Sequence, residues 1–201
     1  IRCVWQSQLF DRLSLAWLAG VRKTGMQLLF RHLATYNQWM NRKLYNAAAV
    51  LSDEQLTQDR GAFFGSIWAT LNHIAVGDIL WLRRVAGGFP HLAALAPVQD
   101  LPQPTALTDI LCPDVAALTQ LRATIDEVLT LLCAELSEHD LNAPLQYHST
   151  KGVRSNKLLS EVLLHVFNHQ THHRGQITTL YSQMGIDVGG TDLITVIPNQ
   201  A

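Results

Sequence analysis

The stretch that decides the fold is Lys157–Met184, "KLLSEVLLHVFNHQTHHRGQITTLYSQM". On a helical wheel of about 100° per residue, Leu159, Val162, Leu163, Val166, Ile177, Leu180, Tyr181 and Met184 fall on one arc. That is the stripe of a helix burying one face. The spacing predicts a long helix over 157–184 that ends at Gly185. The same run holds His165, His169, His172 and His173, four of the chain's nine histidines. His173 lies near the middle of the apolar arc, and His169 within about 70° of it. His165 sits at the edge of the arc and His172 farther out. His169 and His173 are therefore the inward i, i+4 pair, where two imidazoles can reach one ion.

Working outward, three more long helices carry helical periodicity. The first spans about Met26 to Leu51, with Leu29, Leu33, Tyr36, Met40, Leu44 and Ala47 as its stripe. Ser52 suits the N-cap of a short turn after it. The second runs from Ser66, a plausible cap, to Ala86, and "GGFP" stops it. The third covers about Asp114 to Ser137, just after Pro113, with Val115, Leu118, Leu121, Ile125, Val128, Leu129 and Leu132 inward. Residues 87–112 hold four of the seven prolines and form a long connection, with a helical turn near Leu92 to Leu95. Short alternating stretches at Leu145–His148 and Val153–Ser155 flank "STKG" and predict a small hairpin. The tail after Gly185 reads as irregular.

The fold class expected is all-α: a four-helix bundle, with a long connection between helices 2 and 3 and a hairpin before helix 4. Periodicity does not give the order of packing. Residues 1–25 differ in pattern from the rest. They are either an extension ahead of a natural start at Met26, leaving 26–201 as a single domain, or a genuine helix from about Trp5 to Val21.

Composition narrows the function classes. Hydrophobic residues make up 48% and charged residues only 15%, which favours one well-buried domain and a covered oligomer surface. Trp39, Trp68 and Trp81 add to that expectation of a homodimer. A net charge of −1 leaves no broad basic face for nucleic acid. The apolar run Leu13–Val21 is too short to span a membrane. Cys3, Cys112 and Cys133 form no CxxC pair, and a reducing cytoplasm is expected.

Two histidines on one helix need a third ligand from another. The candidate is His73, in "TLNHIAVGD". Its helix is apolar on nearly every side, so the wheel leaves its direction open. Here the residues resemble a family. "LNHIAVGDILWL" with "HVFNHQTHHRGQI", and "LFRHLATYNQWMNRKLY" with "DRGAFFGSIWATLNH", are similar to the DinB-like (DNA-damage-inducible) family of bacterial metal-binding proteins. The resemblance covers about Met26 to Gly185. It implies an up-down-down-up four-helix bundle and one divalent transition metal held by His73, His169 and His173. It also implies a small-molecule substrate and often a dimer.

Three neutral imidazoles leave the charge of a divalent ion uncompensated and a coordination position open, the mark of catalytic rather than closed sites. All-nitrogen donors suit zinc or nickel. The resemblance points first to a thiol-dependent transferase using a low-molecular-weight thiol such as bacillithiol, mycothiol or glutathione. A metal-dependent hydrolase and a non-catalytic metal-binding module are the alternatives. No general base stands out. Glu161 faces away from the core, and Asp78 reads as structural, with Arg84 or Arg174 as partner. Tyr36, Asn37 and Trp39 are read as core or interface residues before pocket residues. His172 and Arg174 read as a solvated flank, and Cys133 as a small buried apolar residue. His32, His91, His139 and His148 show no partner spacing. Residues 87–104 and the hairpin are the expected walls of the entrance.

Overall fold

The computed structural model describes residues 25–199. The reading of the first 24 residues, including the helix considered from Trp5 to Val21, lies outside the described residues. Four long helices dominate: α1 (Gly25–Ala48), α3 (Ile67–Gly88), α4 (Val115–Glu135) and α6 (Leu159–Gln183). Short helices α2 (Asp53–Thr57) and α5 (Glu138–Leu141) sit between them. Strands β1 (Pro144–His148) and β2 (Arg154–Leu158) pair antiparallel, with Leu145 opposite Lys157. The chain is mostly helical, and among the described residues this hairpin is its one sheet.

Local chemistry sets the boundaries. Ser66 Oγ accepts from the Ala69 N–H at 3.1 Å, and Asp114 Oδ1 from the Ala117 N–H at 2.8 Å, capping α3 and α4. Ser52 and Gln55 form a capping box around α2. The hairpin runs longer than expected and delays α6, which starts at Leu159 rather than Lys157. Lys157 and Leu158 are held in the ladder, the Leu159 N–H donates to the Ala143 carbonyl at 3.0 Å, and the Glu161 carboxylate accepts from the Leu158 N–H at 3.1 Å. Gly185 takes a φ of 75° and ends the last helix in the left-handed turn. The long connection holds a 3-10 helix over Ala93–Asp100, wider than the turn expected, and the tail holds another at Leu193–Val196.

Helix α1 packs chiefly on α4 and α6, and α3 on α6 and α4, so the four enclose one core. The hairpin closes one side. Leu145 is fully buried against the end of α3, where a Cβ on Gly88 would lie 2.5 Å from its Cδ1. Among the described residues, no helix is long and apolar enough to cross a membrane.

The inner face of α1 is not the one its apolar residues outline. Leu29 is 60% exposed, whereas Phe30, Ala34, Asn37, Asn41, Tyr45 and Ala48 are buried. Met40 and Leu44 belong to both faces. The reason is polar. Asn37 and Asn41 donate from Nδ2 to Asp126 Oδ1 of α4 at 3.1 and 2.9 Å, so two amides lie where an apolar count looks for leucines.

Those amides belong to a buried network that reaches all four long helices. Arg122 of α4 donates to Asp78 of α3 at 2.5 Å and forms an ion pair with Asp126 at 3.0 Å. Gln170 of α6 donates to the same Asp78 oxygen, and Arg174 donates to Asn37 Oδ1 and to Gln170 Oε1. Asp78 therefore pairs with Arg122, not with Arg84 or Arg174. Arg174, expected on a solvated face, is buried. Two arginines and two aspartates balance inside the core, as burial of charge demands.

Candidate metal centre

The network fixes how α3 and α6 lie against each other, and one helical turn along from it three histidines converge. His73 points from α3 toward α6, a direction the periodicity left open. His73 and His173 are buried, and His169 is half-buried between them. One ring nitrogen from each lies within 4.8 Å of the others. His165 and His172 are exposed and stand outside the cluster.

Hydrogen bonds set which nitrogen faces inward. His73 Nδ1 lies 2.9 Å from the Leu107 carbonyl, which can only accept, so Nδ1 carries the proton and Nε2 is left as a donor to a cation. His173 Nδ1 lies 2.9 Å from Gln176 Oε1, which leaves its Nε2 free in the same way. His73 Nε2 and His169 Nε2 are 3.1 Å apart. With His73 in that tautomer, the two lone pairs oppose each other unless His169 carries its proton there or a cation sits between them. The donor set thus fits a metal ion.

Burial acts in the same direction. It lowers the pKa of His73 and of His173, and it lowers His169 furthest, to about 3, with His173 and His73 adding repulsion. All three imidazoles are neutral near pH 7, the state a metal requires. Phe64 stacks on His73 at a ring separation of 3.7 Å and meets His173 edge-on at 5.5 Å, shielding both from water.

Gly77 is the residue of the site that sequence reasoning missed. It stands one turn after His73 on α3, and a Cβ there would lie 2.9 Å from His169 Cε1. The only hint in sequence was a glycine inside a strongly helical run, where it costs about 1 kcal/mol against alanine. Gly77→Ala is expected to keep or raise the melting temperature, because the helix gains propensity and the flexible side chain of His169 can move aside. That displacement should weaken metal binding by roughly 10- to 100-fold, the range for residues that orient a ligand. Chelator competition alongside thermal melting checks the split, and a variant with unchanged affinity would show that His169 has room to spare.

A cavity of about 270 Å³ opens beside His73 and His169. Leu80, Trp81 and Arg84 of α3, Leu107, His165, and Tyr147, Ser149 and Thr150 of the hairpin complete its lining. The hairpin wall is the one expected. The other wall is Leu107 from the later part of the connection, held by the His73 contact and by the Leu111 N–H donating to Asn72 Oδ1 at 2.8 Å. The earlier part of the connection, from Phe89 to Gln99, lines a separate hollow with Arg83 and Ala86. Asn37 lies in the polar core, not in the cavity. Tyr36 and Trp39 are half-buried on α1, their rings 6.1 Å apart. Cys133 is buried, and burial pushes its thiol up to about 12, so it is no nucleophile.

Comparison with known proteins places the chain in a family. The sequence model of the DinB family matches residues 22–199. Protein DinB of Bacillus subtilis (strain 168) is 31% identical over 160 residues, which are 80% of this chain and 88% of that protein. No solved structure matches the chain.

Proposed function

The chain belongs to the DinB family, and from that premise we propose that it is a metal-dependent enzyme, a thiol-dependent transferase with zinc or nickel at His73, His169 and His173. The observation that carries the reading is the convergence of three neutral imidazoles beside an open cavity. Among the described residues no carboxylate joins them, so the donor set leaves the full charge of a divalent ion for an outside ligand. A bound ion would supply Lewis acidity, lowering the pKa of a thiol or water held against it.

The chain's own residues do the rest. The Leu107 carbonyl and Gln176 orient two imidazoles, Gly77 leaves space for the third, and Phe64 keeps water from the buried side. The cavity admits a small molecule, and Leu80, Trp81 and Tyr147 give it apolar walls. The up-down-down-up order of the helices goes with the same reading, as do a cytoplasmic location and the absence of nucleic-acid partners. A homodimer belongs to it as well. The three tryptophans are half-buried, so its apolar surface is better sought at exposed Phe63, Leu29 and Leu164.

The test is cobalt substitution. Protein carrying one cobalt per chain is expected to develop a sulfur-to-metal charge-transfer band on addition of a low-molecular-weight thiol at millimolar concentration. No band with glutathione, cysteine or bacillithiol would end the transferase reading in favour of hydrolysis or plain metal binding. Failure of the folded protein to take up any divalent metal would end all three.

A further inference from the structure

We propose that the cavity beside the three histidines binds a small organic acid, with Arg84 as the anchor for its carboxylate. The inference rests on the proposed metal-dependent reading only for what the ligand's other end does.

The first observation is what Arg84 lacks. Three other arginines near the site are occupied: Arg122 by Asp78 and Asp126, Arg174 by Asn37 and Gln170, Arg83 by the carbonyls of Leu101 and Pro102. Arg84 is half-buried and, among the described residues, has no carboxylate or hydrogen-bond acceptor on its guanidinium. A half-buried cation without a counter-ion is costly, and an incoming anion removes that cost.

The second observation is how Arg84 is held. Its guanidinium lies 4.5 Å from the centre of the Trp81 ring and 5.3 Å from that of Tyr147. Trp81 and Tyr147 themselves meet edge-on at 5.0 Å. Both rings lie on one side of the group, and among the described residues its N–H edge, the part that recognises carboxylates, makes no hydrogen bond.

The third is place. His73, Gly77, Leu80, Trp81 and Arg84 recur at helical steps, so one face of α3 carries the metal-facing histidine at one end and the arginine at the other. Both line the same cavity. Eleven residues of helix rise separate their backbones by about 16 Å, and the arginine side chain leans back toward the helix start. Acetate or a free halide cannot engage both ends, whereas a molecule of dipeptide to tripeptide size can. On the facing wall, Ser149 Oγ accepts from the N–H groups of Lys151 and Val153, at 3.3 and 3.1 Å. Its own proton remains to donate to a second carboxylate oxygen. Arg84 is thereby a specificity-determining residue; it has no part in bond making.

The test uses zinc-loaded wild type and Arg84→Gln, matched in circular dichroism and metal content. Each is titrated calorimetrically with glutathione, glutathione diethyl ester and S-methylglutathione. Wild type is expected to bind glutathione at least about tenfold more tightly than its diethyl ester, which differs only at the carboxylates, the worth of one charge-assisted pair. In R84Q that preference should vanish while ester binding stays within about twofold of wild type. A wild type without carboxylate preference, a preference that survives in R84Q, or no binding of any probe to wild type at millimolar concentration overturns the proposal. Equal affinity for glutathione and S-methylglutathione, with the carboxylate preference intact, upholds the acid site and counts against the thiol reading alone.

Discussion

Removing any one imidazole of the triad is expected to weaken metal binding by more than about 100-fold, beyond the 10- to 100-fold range of supporting residues. His73→Ala, His169→Ala and His173→Ala should each come through dialysis nearly metal-free. Each takes away one of three donors whose nitrogens lie within 4.8 Å of one another, and among the described residues no carboxylate stands by to replace it. His165→Ala and His172→Ala are the controls, being exposed neighbours on the same helix, and should stay within a few-fold of wild type. Chelator competition measures all five. If His165→Ala loses metal as completely as His169→Ala, the donor set is not the one proposed here.

The largest effect on stability is expected from Arg122→Leu. Arg122 is 2% exposed and faces both Asp78 and Asp126. Without it two buried carboxylates lose their nearest cation, a cost of about 3–5 kcal/mol. For a chain of this size that lowers the melting temperature by roughly 10 °C. The sign with pH follows from Asp78. Burial already pushes its carboxyl up to about 6, with Arg122 pulling it back down. Loss of Arg122 raises it further, so the folded variant takes up a proton at a pH where the unfolded chain does not. The unfolded chain is the same in both proteins, so the deficit is full above the variant's raised value and shrinks as pH falls toward the wild-type folded value of about 6. Thermal melts of both proteins across this range check it, and a deficit independent of pH would point to lost packing rather than unpaired charge.

Much of this was legible in the sequence, and what was not has a common cause. The fourth helix showed its inward histidine pair because its apolar stripe is long and the pair falls inside it. The helix starts were legible where a single side chain makes the cap, at Ser66 and Asp114. The inner face of the first helix was misplaced because Asn37 and Asn41 are buried there, and hydrophobic periodicity counts a buried amide as surface. The same blindness put Arg174 outside and gave Asp78 the wrong partner, since pairing across helices depends on distances that periodicity does not carry. His73 was ambiguous for the opposite reason. Its helix is buried on nearly all sides, so every direction looked inward.

His73 lies 96 residues before His169, whereas His169 and His173 share one turn of one helix. Completion of the centre therefore depends on the docking of two helices. The last helix alone can present two donors as soon as it forms, but the third arrives only when the second long helix docks on it. Interactions completed after the rate-limiting step of folding leave the folding rate nearly unchanged and retard escape from the native state. An ion held by all three histidines would then act as a kinetic latch, prolonging the lifetime of the folded chain against heat and proteases with little acceleration of its formation.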